Sequence, residues 1–116
     1  MGKENQILDL SFEFSLLVVD YCEHLEEKHR FVISNQLLKS GTSIGANIRE
    51  AQSAESKIDF IHKMKISSKE AEETEYWLLL CKNSKSYPSP DHLLEKISIL
   101  KKILSKIIAT SKSSPK

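Results

Sequence analysis

The chain has 116 residues and a formal net charge of +1. That length supports one domain with a single core and leaves no room for a catalytic domain plus a second module. With 40% of residues hydrophobic and 28% charged, the chain is an ordinary globular one, which excludes wholesale disorder. Apolar runs are far shorter than a bilayer crossing and are broken by charges, so no membrane partner is expected. Residues 1–10 lack a basic start followed by an apolar stretch, so no secretory signal is expected and the location is expected to be cytoplasmic. Cys22 and Cys81 are far apart and fit no metal spacing, which makes them reduced, buried, small hydrophobes.

Only three glycines and three prolines punctuate the sequence, which favours a few long helices over many short strands. The first helix is predicted over about residues 9–28. Its opening, Leu10 to Phe14, alternates like a strand, but Phe14, Leu17, Val18, Tyr21 and Leu25 keep helical spacing for three turns. The second is predicted over about 35–54, with Ser34 as N-cap and Ile33 and Leu38 as a hydrophobic staple across it. Its apolar stripe is Leu37, Gly41, Ile44, Ile48 and Ala51.

The third helix is predicted over about 57–83, opened by Ser56 and Asp59 at capping-box spacing. Its stripe runs through Ile61, Met64, Ser67, Ser68, Ala71, Thr74, Leu78 and Cys81. A loop carrying Tyr87 and Pro88 follows. Ser89 and Pro90 then start a fourth helix over about 90–111, with the stripe Leu93, Ile97, Leu100, Leu104 and Ile107. Short connections between long helices make neighbours antiparallel, so the expected fold is an all-α, up-down-up-down four-helix bundle over residues 1–116.

Two patterns go beyond a generic bundle. Gly41 and Gly45 lie inside a helix, where each costs roughly 1 kcal/mol relative to Ala. Together with the small residues Ser67, Ser68 and Ala71, they predict a close approach of the second and third helices. The fourth helix carries Leu94, Ile99, Ile103 and Ile108 besides its main stripe, and the third carries Ile66, Trp77 and Leu80. Surplus apolar area on bundle helices points to another subunit that covers it, with a merely wide core stripe as the alternative.

Charge is unevenly placed. Residues 1–90 carry 11 Lys and Arg against 14 Asp and Glu, whereas residues 91–116 carry six Lys against Asp91 and Glu95. Lys96, Lys101, Lys102, Lys106 and Lys112 form a candidate nucleic-acid-binding strip, with Lys116 beyond them. The competing reading is a solvated face that keeps a greasy helix soluble.

Catalytic and metal motifs are weak. Gly41-Thr42-Ser43-Ile44-Gly45 matches a nucleophile elbow, which requires a sharp strand-to-helix turn rather than a helix interior. Glu26 with His29, and Asp59 with His62, have the spacing of di-iron carboxylate–histidine pairs. The first pair falls at a helix end, and His62 is off the core stripe, so all four are expected on the surface. Glu70, Glu72, Glu73 and Glu75 lack an obvious catalytic partner; Lys65 and Lys69 lie within reach for helical ion pairs. Asn47 and Glu50 either hydrogen-bond across to the third helix or face water. Phe12, Phe14, Tyr76 and Trp77 are not interleaved with cations as a base-stacking platform requires, so core roles are expected for them. No enzyme activity, metal, cofactor or small-molecule substrate is expected.

The stretch Ser40 to Ala51, with Ser56 to Met64 and Lys69 to Leu78, resembles the bacterial four-helix-bundle proteins encoded in intervening sequences of large-subunit (23S) ribosomal RNA genes. The resemblance spans about residues 8–108. It implies a homopentameric ring and kinship with the accessory protein of diversity-generating retroelements, a basic pentameric barrel that binds nucleic acid and the reverse transcriptase. The family signature falls on Ser43, Asn47, Glu50, Asp59, Phe60, Lys63, Glu70, Glu73, Tyr76 and Trp77, none of them an established catalytic residue. The implied partners are further copies of the chain and ribosomal RNA or another nucleic acid. This chain departs from its basic relatives in being almost neutral. A protein-binding scaffold without nucleic acid is the alternative function.

Overall fold

A computed structural model describes residues 3–113, with side chains described from Gln6 onward. Four helices follow one another: α1 (Lys3–Glu27), α2 (Phe31–Ala51), α3 (Lys57–Asn83) and α4 (Asp91–Ser113). Contacts join α1 to α2, α2 to α3, α3 to α4 and α4 back to α1, so the helices stand in chain order around one core. The bundle measures 51 × 22 × 20 Å.

The paired residues show that neighbours are antiparallel, because one number rises as the other falls. From α1 to α2, the position of Gly45 meets Ser11, that of Gly41 meets Val18, and Ser34 meets Cys22. From α2 to α3, Glu50 meets Lys63, Ile44 meets Ser67 and Ser40 meets Thr74. Between α3 and α4, Lys101 reaches Glu72 and Glu75, and Lys82 reaches Asp91.

The core is made by the expected stripes: Leu37, Ile44 and Ile48 on α2, Met64, Ala71 and Leu78 on α3, and Leu93, Ile97, Leu100, Leu104 and Ile107 on α4. On α1, Phe14, Val18, Tyr21 and Leu25 are buried, while Leu17 only packs against the edge. Removing this apolar surface from water is the main driving force for the fold.

Three boundaries and one packing expectation need correction. The α1 helix starts near Lys3 rather than residue 9, because Ile7 continues the stripe of Phe14 through Ser11, which is itself buried. A serine in a core position hides that turn from an apolar count. The α2 helix starts at Phe31, and Ser34 is not its cap; Arg30 holds the cap position without a side-chain bond. Ser34 is instead buried inside the helix, its hydroxyl donating to the Cys22 carbonyl at 3.2 Å while the Cys22 thiol donates to its carbonyl at 3.4 Å. That helix ends at Ala51 rather than 54.

The glycines face α1, not α3. A Cβ at Gly41 would stand 2.9 Å from Val18 Cγ1, and one at Gly45 would stand 3.3 Å from Ser11 Oγ. The close contact of α2 with α3 is made by hydroxyls instead. Ser67 donates to the Ile44 carbonyl at 2.9 Å, and the Thr74 and Ser40 hydroxyls meet at 2.9 Å. Satisfying these groups inside the core avoids the penalty of burying an unpaired hydroxyl.

Other details follow the sequence closely. The α3 helix has the expected bounds, and Ser56 Oγ accepts the Asp59 N–H at 3.0 Å. The Asp59 carboxylate accepts from the Glu55 N–H rather than closing the box on Ser56. Ser89 Oγ accepts the Asp91 N–H at the start of α4, and the helix runs to Ser113, two residues past the expected end. No helix among the described residues is long and apolar enough to cross a membrane.

Candidate nucleic-acid interface

The α4 helix is anchored by its isoleucine and leucine stripe, and the lysines are distributed around what remains of its circumference. Lys102 and Lys106 are exposed and one helical turn apart. Neither has a carboxylate three or four residues away on its own helix, and no ion pair to either is formed among the described residues. Lys96 lines a groove of about 330 Å³ between α1 and α4, together with Glu13 and the apolar Leu10, Phe14, Leu16, Leu17, Ile99 and Leu100. Lys112 stands near Lys65 of α3 and lowers its pKa. Lys116 lies outside the described residues.

Lys101 differs from the others. Its ammonium donates to Glu75 Oε1 at 2.8 Å and lies 3.3 Å from Glu72 Oε2, and its side chain is only 26% exposed. The Glu75 bond raises its pKa above the ordinary value; burial opposes the shift, and Glu72 adds to it. Lys101 is therefore committed to clamping α3 against α4, and the expected helical pairs from Lys65 or Lys69 to the acidic cluster do not form. The cleft beside the clamp, about 420 Å³ in volume, is lined by Ser98, Lys102 and Ser105 as well as by Glu75 and Lys101. The sequence strip is thus split into one structural lysine and several outward ones.

The residues on which the resemblance places a family signature gather along α2 and α3. Lys63 Nζ donates to Glu50 Oε1 at 3.1 Å, so Glu50 does reach across the helix pair. Asn47 spends its amide within its own helix, donating to the Ser43 carbonyl at 2.9 Å. Trp77 Nε1 donates to Glu73 Oε2 at 3.1 Å, and the Tyr76 and Trp77 rings meet edge to face with centroids 5.3 Å apart. Burial raises the pKa of Glu70; the neighbouring Glu73 adds to the shift and Lys39 opposes it. Phe60 and Trp77 pack half-buried against the core. Core roles do not hold for all four singled-out aromatics: Phe14 is buried, but Phe12 and Tyr76 are exposed.

Neither thiol suits nucleophilic chemistry. Burial pushes the Cys22 pKa up to about 11 and raises that of Cys81, so the reactive thiolate is scarce near neutral pH. The Tyr21 phenol is also driven well above its usual value by burial, and it donates to the Pro88 carbonyl at 2.6 Å. That bond ties α1 to the α3–α4 loop. Among the described residues no group of three or more His, Cys, Asp or Glu is placed to hold a metal ion.

The comparisons with known proteins bear out the family resemblance. The model of the 23S rRNA-intervening sequence protein family matches residues 3–107. The chain belongs to this family. A crystal structure of a protein of unknown function from the S23 ribosomal protein family of Bacteroides thetaiotaomicron is similar to this family member, with 41% identity and a TM-score of 0.88. The match covers 93% of this chain and 99% of that one. No curated protein matches the chain.

Proposed function

We propose that this family member is a non-catalytic, homo-oligomeric protein that associates with RNA through the outward lysines of α4. The observation that carries the reading is the unpaired, exposed Lys102–Lys106 edge, with Lys96 and Lys112 to either side along the helix. An ammonium without a carboxylate partner is free to take a phosphate oxygen and release the counterions of the nucleic acid. Oligomerisation draws support from apolar side chains that the bundle itself leaves open, with Leu16 55% and Ile99 47% exposed beside the α1–α4 groove. A second subunit is the usual cover for such a surface. The ring of five follows from the family resemblance, and repeating a weak basic edge around a ring would raise its avidity.

Titration of a structured ribosomal RNA fragment at low and moderate salt tests the reading. Wild type should bind with little sequence preference and weaken steeply with salt, and Lys102→Gln/Lys106→Gln should lose several-fold in affinity with a shallower salt slope. Absence of binding by wild type, or equal binding by both, overturns it. The open α1–α4 groove would then put a protein-binding scaffold first.

A further inference from the structure

The junction of α1 with α2 and the α3–α4 loop meet at one end of the bundle, and both alternate cations with aromatic rings. Lys28, His29, Arg30 and Phe31 run consecutively in the first, and Lys85, Ser86 and Tyr87 in the second. The Arg30 guanidinium joins the two segments. It stands over the Tyr87 ring, 5.3 Å from the centroid, and donates to Ser86 Oγ at 3.0 Å and to the Lys28 carbonyl at 3.2 Å. The His29 and Phe31 rings meet edge to face with centroids 5.7 Å apart. A cleft of about 270 Å³ is lined by His29, Arg30, Phe31 and Tyr87, with Val32 and Ile33 as further apolar walls.

Phe31 is 52% and Val32 75% exposed, so the folded chain uses neither as core. The segments that carry these groups are nonetheless fixed. Tyr21 donates to the Pro88 carbonyl at 2.6 Å, and His29 and Ser86 are the two non-glycine residues of positive φ among the described residues. Backbone held in that uncommon region clusters at ligand clamps. The nearby carboxylates are engaged elsewhere: Glu27 lies 3.6 Å from His24, and Glu26 accepts from the Ser34 hydroxyl. Lys28 and Lys85 are exposed and form no ion pair among the described residues. An exposed ring beside an anchored guanidinium and unpaired ammonium groups suits a planar π-face that carries phosphate. An unpaired nucleotide offers both, whereas the bases of a duplex are already stacked and paired.

We propose that this end of the bundle is a stacking platform for an unpaired nucleotide of single-stranded RNA. The base enters the cleft against Phe31, while Arg30, with Lys28 and Lys85 beside it, takes the adjoining phosphates. The choice of RNA as partner rests on the function proposed above, but the site uses no lysine of α4. Its mode of binding also differs. The α4 edge offers charge alone, which accepts duplex and single strand alike, whereas stacking selects unpaired bases.

Anisotropy titrations of labelled oligoadenylate and of an RNA duplex of equal length test the platform. Wild type should prefer the single strand. Phe31→Leu should lose roughly five- to a hundredfold in affinity for it, while Phe31→Tyr, which keeps a ring, holds. In NMR spectra the Phe31 ring protons should move upfield on adding oligoadenylate, because a stacked base shields them. Equal binding of both RNAs by wild type, or unchanged affinity in Phe31→Leu, overturns the platform. Lys102→Gln/Lys106→Gln separates the two sites. If that variant weakens both RNAs alike and keeps the preference for single strand, both sites stand. If it binds like wild type while Phe31→Leu loses the single strand, the platform stands and the α4 edge falls. If wild type shows no preference and only the lysine variant is weakened, the α4 edge stands alone. Absence of any binding by wild type overturns both.

Discussion

At Gly41 the missing side chain matters because of what lies opposite. Val18 is buried and β-branched, so its χ1 has little freedom to turn away from an added methyl. Gly45 faces the smaller Ser11 at a longer distance. Gly41→Leu should therefore lower the unfolding free energy by roughly 1–3 kcal/mol through overpacking. Gly45→Ala should stay within about 1 kcal/mol of wild type, since better helix propensity offsets the tighter contact. Urea denaturation of both variants checks the pair, and unchanged stability of Gly41→Leu would mean that α1 and α2 can separate without cost. The turn after α1 shows a different residue-scale compromise. His29 takes φ 61°, with its N–H donating to the Glu26 carbonyl and that of Arg30 to the Leu25 carbonyl. This is a Schellman closure with histidine where glycine is commonest, and its absence from the glycine count explains why the helix end was legible only approximately.

Between elements, the α3–α4 clamp is the clearest polar device. Lys101 is largely covered and serves two carboxylates, whereas the Lys63–Glu50 and Lys82–Asp91 pairs are more open to water. Lys101→Gln should cost on the order of 1 kcal/mol or less near neutral pH, because solvent screens part of each pair. The pH dependence has a definite sign. The folded pKa of Lys101 is raised above the ordinary 10.5, so the clamp's contribution is fully present below that value and is lost as pH climbs through the folded pKa. Thermal melts of wild type and Lys101→Gln should consequently converge in strong alkali. A gap that persists there would assign the effect to lost packing of the lysine stem rather than to charge.

On the scale of the whole molecule, near-neutrality conceals two neighbouring helices of opposite charge. The α1 helix carries seven carboxylates against Lys3, whereas α4 carries five lysines against Asp91 and Glu95. A polyanion would therefore approach from the α4 side and avoid α1. The apolar groove lies between these two helices, where an acidic and a basic rim face each other across Leu16 and Ile99. Light scattering at micromolar concentration should give a mass near five chains. A monomer would remove oligomerisation from the proposed function, and a stable dimer would remove the pentamer.

The sequence by itself determined the class of fold, the four helices and nearly all of the core. Helical periodicity and apolar burial are local and additive enough to be read along one chain. It also carried the resemblance to the family whose model matches residues 3–107. Tertiary structure decided what each small or charged residue does. Ser11 and Ser34 are polar in any sequence count, yet they are buried because a neighbouring helix comes close and leaves no room for larger side chains. Lys101 and Lys102 are adjacent in sequence, but about 100° of helix rotation directs one into the α3 carboxylates and leaves the other in solvent. Partner choice across helices depends on register and facing angle, and neither quantity is written in the order of residues along a single helix.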